Sequence, residues 1–359
     1  MKKVLVYVIA LFVGGMFLFT ILSKDLDISI SERRKLEQFP TVSLENITSG
    51  RFMDKFESYA TDQVPNRDAW RSLKAQIVQK VFGQSDNNLY YKERGHISKI
   101  EYPLNEDSVL RATKIFNRIY EDNLKEKNCK VYYSVIPDKN YFLGRGHLQM
   151  DYDRLGSIMK NELAEMTCID IMDMLDEDDY YYTDTHWKQE NLIDVAEKLA
   201  HEMGNDFVAE YETNKLESPF YGVYSGQSAL RAQPDELCYL TNDTLENCKV
   251  YDYQNEKEIS IYDMEKSDGK APYELFLSGS LSLITISNPM AEGSRELVLF
   301  RDSFGSSIAP LLVEGYSEIT LVDIRYLSPT YMSSLVDFEN ADVLFLYSTS
   351  VLNHSETLK

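Results

Sequence analysis

The chain has 359 residues and a formal net charge of −21 at pH 7. That acidity repels nucleic acid and anionic lipid headgroups, so nucleic-acid binding is the first class excluded. Aromatic residues make up 12% of the chain, chiefly through 25 tyrosines, and such a composition argues for a packed body over disorder.

At the N-terminus, Val4–Ser23 (VLVYVIALFVGGMFLFTILS) carries no charge. About 20 apolar residues in a helix span a bilayer's hydrocarbon core. Lys2 and Lys3 precede the run, and Lys24, Asp25 and Asp27 follow it. The positive-inside rule then keeps the basic end in the cytoplasm and sends the long remainder across. A cleaved signal peptide is the rival, but no small-x-small site follows Leu22 and the run is long for a signal core. The expectation is an uncleaved single-pass anchor over residues 1–23, with the bulk of the chain extracytoplasmic.

Residues 24–45 are charged, with few apolar side chains, and read as a stalk. Phe52, Phe56 and Tyr59 lie at helical spacing. Trp70, Leu73, Ile77 and Val81 repeat that spacing beyond the break at Pro65-Asn66. A stalk and helical region over 24–83 follows, then one large domain over 84–359.

Within that domain, Lys130–Pro137 (KVYYSVIP) predicts a buried strand, Leu155–Met166 a helix and Cys168–Met174 a short strand. Trp187–Met203 predicts a helix stopped by Gly204. Residues 205–295 show weak strands and turns in no clear order. At the C-terminal end, strands are predicted at Glu296–Phe300, Glu318–Ile324 and Ala341–Tyr347, with helices at Ser306–Val313 and Pro329–Val336. Strands alternating with short helices imply a mostly parallel sheet covered on both faces.

The four cysteines are Cys129, Cys168, Cys238 and Cys248. Cys238 and Cys248 flank the turn-like Thr241-Asn242-Asp243 and are the pair suited to a disulfide. No CxxC or Cys/His spacing points to zinc. The acidic run Asp176–Asp179, followed by Asp184 and His186, lacks an EF-hand's spacing and glycine and reads as a solvated loop. Neither metal nor cofactor is expected.

Two segments could carry chemistry. Ser303, in Phe300-Arg-Asp-Ser-Phe-Gly305, falls between a buried strand and a helix. This places it at the sheet's carboxyl edge, where open α/β sheets bind ligands, with helix N–H groups facing a developing oxyanion. Capping of the helix by Asp302 or Ser303 is the alternative. The second segment is Tyr182-Thr-Asp184-Thr-His186-Trp187. A serine nucleophile needs a base, and the base needs a group that fixes its tautomer. Asp184 and His186, two apart in extended chain, can point the same way. A helix cap beside an ordinary histidine is the bland alternative.

The segments TDTHW and RDSFG together resemble the DHHW family of bacterial surface proteins. That family is related to the alginate O-acetylation proteins and shares an SGNH-hydrolase-like domain. Phe56-Glu-Ser-Tyr-Ala-Thr-Asp-Gln-Val-Pro-Asn-Arg67, Ile136-Pro-Asp-Lys-Asn140 and Phe220-Tyr-Gly222 extend the likeness over roughly residues 30–350. Thr185 stands where the family name has a second histidine, and Arg301 where GDS-type serine blocks carry glycine. The resemblance implies a three-layer α/β sandwich, with Ser303 as nucleophile, His186 as base and Asp184 as its orienter. Lys139, Asn140, Trp187 and Arg301 are the candidate substrate-binding residues. The implied activity is O-acetylation of a cell-surface glycan, with a membrane-bound O-acyltransferase partner supplying the acetyl group. A carbohydrate acetylesterase with the same triad, or a non-catalytic glycan-binding scaffold, is the alternative.

Overall fold

The computed structural model describes residues 2–359. The chain forms two compact units, one of residues up to Asn88 together with Ser225–Arg231, the other of Leu89–Tyr224 and Ala232–Lys359.

The first unit begins with helix α1 (Lys2–Leu22). Among the described residues it is the one helix long and apolar enough to cross a membrane, a measure that a signal sequence also meets. Helices α2 (Arg51–Asp62) and α3 (Arg67–Lys80) follow. The expected stalk is not free chain. Ile28–Ser29 and Arg34–Lys35 form a small antiparallel hairpin. Arg34 donates to both oxygens of Asp62 at 2.7 and 2.5 Å, and the Glu37 N–H adds a third bond at 3.0 Å. Gln63 accepts the Leu26 N–H at 2.9 Å and donates to the Leu26 and Glu37 carbonyls. Arg34 and the backbone of Leu26 and Glu37 thus tie the segment to the end of α2.

The second unit is a three-layer α/β sandwich. The eight strands of its large sheet, in chain order, are β1 (Lys130–Ile136), β2 (Thr167–Cys168), β3 (Lys249–Asp252), β4 (Lys257–Ile259), β5 (Leu283–Ser287), β6 (Glu296–Arg301), β7 (Glu318–Val322) and β8 (Asp342–Ser348). Their order across the sheet is β4-β3-β5-β7-β6-β8-β1-β2. The pairs from β7 through β6, β8 and β1 to β2 are parallel. The β7–β5, β5–β3 and β3–β4 pairs are antiparallel. The region that showed no order in the sequence therefore supplies the antiparallel wing.

Side chains alternate across the central strands, as a period of two requires. Leu297, Leu299, Leu344 and Leu346 join one buried cluster with Val195 and Leu199 of α7 (Ile193–Glu202) and Ile308 and Leu312 of α8 (Gly305–Leu312). Val298, Phe300, Val343 and Phe345 join the other, with Val109, Ala112 and Phe116 of α4 (Glu106–Ile119) and Leu155 and Ile158 of α6 (Tyr152–Glu162). The Asn105 side chain caps α4, and Glu106 and Asp107 suit the positive end of its dipole.

Other elements are shorter than the sequence suggested. Of the expected 168–174 strand only Cys168 pairs, with Thr167 before it, because the Asp170 carboxylate accepts the Met172 N–H at 2.9 Å and starts a turn. The helix expected from Trp187 begins at Ile193, since Trp187 forms an antiparallel bridge with Tyr180. Gly204 ends it at φ +77°. Pro329–Val336 divides into a 3-10 turn and the single turn Met332–Leu335. Cys238 and Cys248, the pair suited to a disulfide, stand as free thiols.

Two outcomes follow from this packing. Leu299, fully buried in β6, has no room to be lost cheaply. Leu299→Ala should cost about 2–5 kcal/mol in urea unfolding. Asp62 is held below the usual carboxylate range, first by its hydrogen bonds from Arg34. A depressed folded pKa gives stability that is present above the unfolded value of about 3.9 and lost as pH falls through the folded one. Hydrogen exchange should show protection of the Glu37 amide collapsing below about pH 4.

Candidate active site

The turn that carries Ser303 grows from the end of β6. The carboxylate of Asp302, fully buried, accepts the Phe304 N–H at 3.0 Å and the Ser348 N–H, at the end of β8, at 2.8 Å. The Gly305 N–H donates to the Asp302 carbonyl and the Ser306 N–H to the Ser303 carbonyl. The chain leaves β6 into α8 on one face, whereas Leu352, just past β8, packs on the other. Ser303 thus sits where neighbouring connections diverge, the usual ligand crevice of an open α/β sheet. It is partly exposed. Gly305 is a steric requirement: a Cβ there would lie 2.5 Å from the Cβ of Arg301.

Asp184 and His186 lie on a loop closed by the Tyr180–Trp187 bridge and by the Tyr181 N–H on the His186 carbonyl at 3.1 Å. The Asp235 carboxylate accepts the N–H groups of Tyr182 and Thr183 at 2.5 and 2.8 Å and the Thr183 hydroxyl at 2.5 Å. The Gly222 N–H donates to the Thr183 hydroxyl at 2.7 Å, and the Val223 N–H to Asp184 Oδ2 at 2.8 Å. A Cβ on Gly222 would stand 2.2 Å from that of Asp184, so only glycine permits this approach.

The result is a continuous chain of polar contacts. Asp184 Oδ1 lies 2.6 Å from His186 Nδ1, and His186 Nε2 lies 2.8 Å from Ser303 Oγ. A carboxylate on Nδ1 fixes the proton there and leaves Nε2 free to accept from the hydroxyl. The imidazole stacks on Tyr273, with centroids 3.8 Å apart and planes 8° from parallel. The Tyr273 hydroxyl donates to Ser307 Oγ at 2.8 Å and holds the ring in place.

The four candidate substrate-binding residues lie in the interior. Trp187 is fully buried, its indole N–H donating to Ser307 Oγ at 2.9 Å and the Phe304 carbonyl at 3.2 Å. It has no free face for a sugar ring. Arg301 is equally buried, spread between the Asp302 and Gly279 carbonyls at 3.3 and 3.4 Å. Asn140 accepts from the Tyr91 hydroxyl at 2.8 Å and donates to the Leu148 carbonyl at 3.0 Å. Lys139 donates to the Tyr181 carbonyl at 2.9 Å. Each is engaged by protein groups. Among the described residues no group of three or more His, Cys, Asp or Glu side chains is placed to hold a metal.

Tyr273 and Asp235 went unread in the sequence. Both fall in the irregular 205–295 stretch and reach the site only through the tertiary fold, so no local spacing signals them. Gly222→Ala should lower the unfolding free energy by about 1–3 kcal/mol. Gly293→Ala, where a Cβ meets nothing within 4 Å, should stay within about 0.5 kcal/mol. Denaturant titration of the two variants compares them directly.

No family model and no curated protein matches the chain. Solved structures share its fold. PatB1 of Bacillus cereus covers 74% of this chain and 97% of its own, with a TM-score of 0.61 at 18% identity. PatB1 with a sulfonyl adduct gives 0.59 at 21% identity, over 73% of this chain and 95% of its own. A DHHW family protein of Eubacterium siraeum covers 76% of this chain and 95% of its own, with a TM-score of 0.60 at 22% identity. The sandwich that carries Asp184, His186 and Ser303 is therefore the fold of a DHHW family protein, the family that the TDTHW and RDSFG segments resemble.

Proposed function

We propose that this is a membrane-anchored extracytoplasmic acyl-transfer protein, which moves an acetyl group through Ser303 onto a hydroxyl of a cell-surface glycan. The observation that carries the reading is the Asp184–His186–Ser303 chain, with contacts of 2.6 and 2.8 Å at the sheet's carboxyl edge. Helix α1 supports the anchor, with residues 24–83 linking it to the catalytic part of the chain. PatB1, which shares the fold, carries a sulfonyl adduct. Sulfonyl reagents trap activated nucleophiles, so the same probe class suits Ser303.

On this reading Ser303 Oγ attacks the acyl carbonyl while its proton passes to His186 Nε2. Asp184 and the π face of Tyr273 stabilise the imidazolium. The Ser303 N–H, for which no protein acceptor is found among the described residues, stabilises the oxyanion, the N–H groups of Phe304, Gly305 and Ser306 being engaged by Asp302 and Ser303. Collapse of the tetrahedral species gives acetyl-Ser303 and returns the proton to the leaving group. His186 then takes the proton of the glycan hydroxyl as its oxygen attacks the acetyl carbonyl; the bond to Ser303 Oγ breaks, and His186 returns that proton to Ser303 Oγ. A membrane-bound O-acyltransferase partner supplies the acetyl group.

The test is labelling of the full chain by an arylsulfonyl fluoride and by an activated acetyl ester. Wild-type protein should label at Ser303, and Ser303→Ala should not. His186→Ala should slow labelling by about a thousandfold or more, and Asp184→Asn by a smaller factor. An oligosaccharide acceptor should discharge acetyl-Ser303 faster than water does. Equal discharge with and without glycans would assign an esterase. No labelling of the wild type beside a labelled control enzyme would leave a non-catalytic scaffold.

A further inference from the structure

The amine of Lys139 is buried at the start of helix α5 (Lys139–Leu143), which Asp138 caps. Its Nζ donates to the carbonyl of Tyr181 at 2.9 Å and, more weakly, to that of Tyr182 at 3.4 Å. It also lies 5.1 Å over the Tyr224 ring. Those two carbonyls belong to the peptide groups that lead into Asp184. The N–H ends of the same two peptide groups, on Tyr182 and Thr183, both donate to Asp235. A cation on the oxygens and an anion on the amides hold two consecutive peptide planes in one orientation. A methionine would fill the same volume without the cost of desolvating an ammonium, so packing alone does not account for the lysine.

We propose that Lys139 is a positioning residue that, with Asp235, fixes the loop presenting Asp184 to His186. This rests on the acyl-transfer reading of the same site. The charged groups acting on the amine are Asp184 and Asp235, which favour its cationic form, and Lys188, which opposes it. His96, on the neighbouring strand His96–Lys99, is held neutral by burial and by the two lysines. Burial brings the Lys139 amine down to about 7. The hold on the loop is then strongest below about pH 7 and weakens as the amine loses its proton.

The experiment uses the full chain in detergent and two readouts. In the ¹H spectrum the His186 Nδ1 proton, bonded to Asp184, should give a downfield resonance that is absent in His186→Ala. Lys139→Met should shift or broaden it. The maximal rate of Ser303 sulfonylation should fall about tenfold to a hundredfold, with the half-saturating probe concentration little changed. An ionisation near pH 7 in the wild-type labelling profile should vanish in Lys139→Met. Asp235→Asn keeps the volume of the site and should give the same loss, so it decides the matter where Lys139→Met does not fold. The double variant should be no slower than the worse single one. An unshifted resonance with wild-type labelling rate and pH profile in either variant overturns the proposal. If the wild type does not label at all, the acyl-transfer reading falls, and the resonance alone decides whether Lys139 positions the loop.

Discussion

The buried carboxylate of Asp302 is the contact on which the site depends. One oxygen takes the Phe304 N–H and shapes the turn at Ser303, and the other takes the Ser348 N–H at the end of β8. A carboxylate bonded by two N–H groups recovers much of what it loses on leaving water. Removing it would leave two buried donors without partners and free the turn from the sheet. The serine's position is thus set by a neighbour one residue away that never meets a substrate. The central strands supply the rigid base: their leucines and phenylalanines interleave with helices on both faces, so the carboxyl edge moves as one body.

A wider arrangement runs along that edge. Beside β1, Asp138 accepts from Thr349 at 2.6 Å and from Tyr152 at 3.0 Å, and burial raises its carboxyl to about 6. Beside β7, Asp323 takes a bidentate Arg325 and lies 3.9 Å from Arg301. β1, β6 and β7 are thus each followed by an acid with a specific donor, and β8 between them ends in Ser348 and Thr349, which donate to two of those acids. Parallel strands leave their last backbone groups without ladder partners at the same edge, and short acidic side chains satisfy them there.

These features were unequally visible in the sequence. The strands from 296 to 347 could be read because each is a continuous apolar run bounded by turn residues, as a sheet buried on both faces demands. Asp184, His186 and Ser303 could be read because they carry local signals, a spacing of two and a strand-to-helix turn. Strands β3, β4 and β5 have three to five residues each, too few for a period to show. Trp187 and Arg301 looked like ligand groups because sequence alone does not say which face of a turn is sealed. The ion pairs of residues 28–37 had no local signal, since the partner of Arg34 lies 28 residues on at Asp62.

The division into units has a consequence for how the chain can be cut. Three crossings link the units, because Ser225–Arg231 returns to the N-terminal one. Within that unit Arg71 donates to the carbonyls of Gly226 and Gln227 at 2.9 Å each, and Asn87 to that of Ser228 at 2.8 Å. A Cβ on Gly226 would fall 1.6 Å from the Ser31 carbonyl oxygen, so the two backbones are in contact. A fragment beginning at residue 89 would keep every catalytic candidate and still strand this seven-residue loop, with Gly226 to Ser228 stripped of their partners. That loop starts two residues after Val223, whose N–H holds Asp184. Proteolysis or truncation between the units would therefore loosen the chain beside a partner of Asp184, although no bond near Ser303 had been cut.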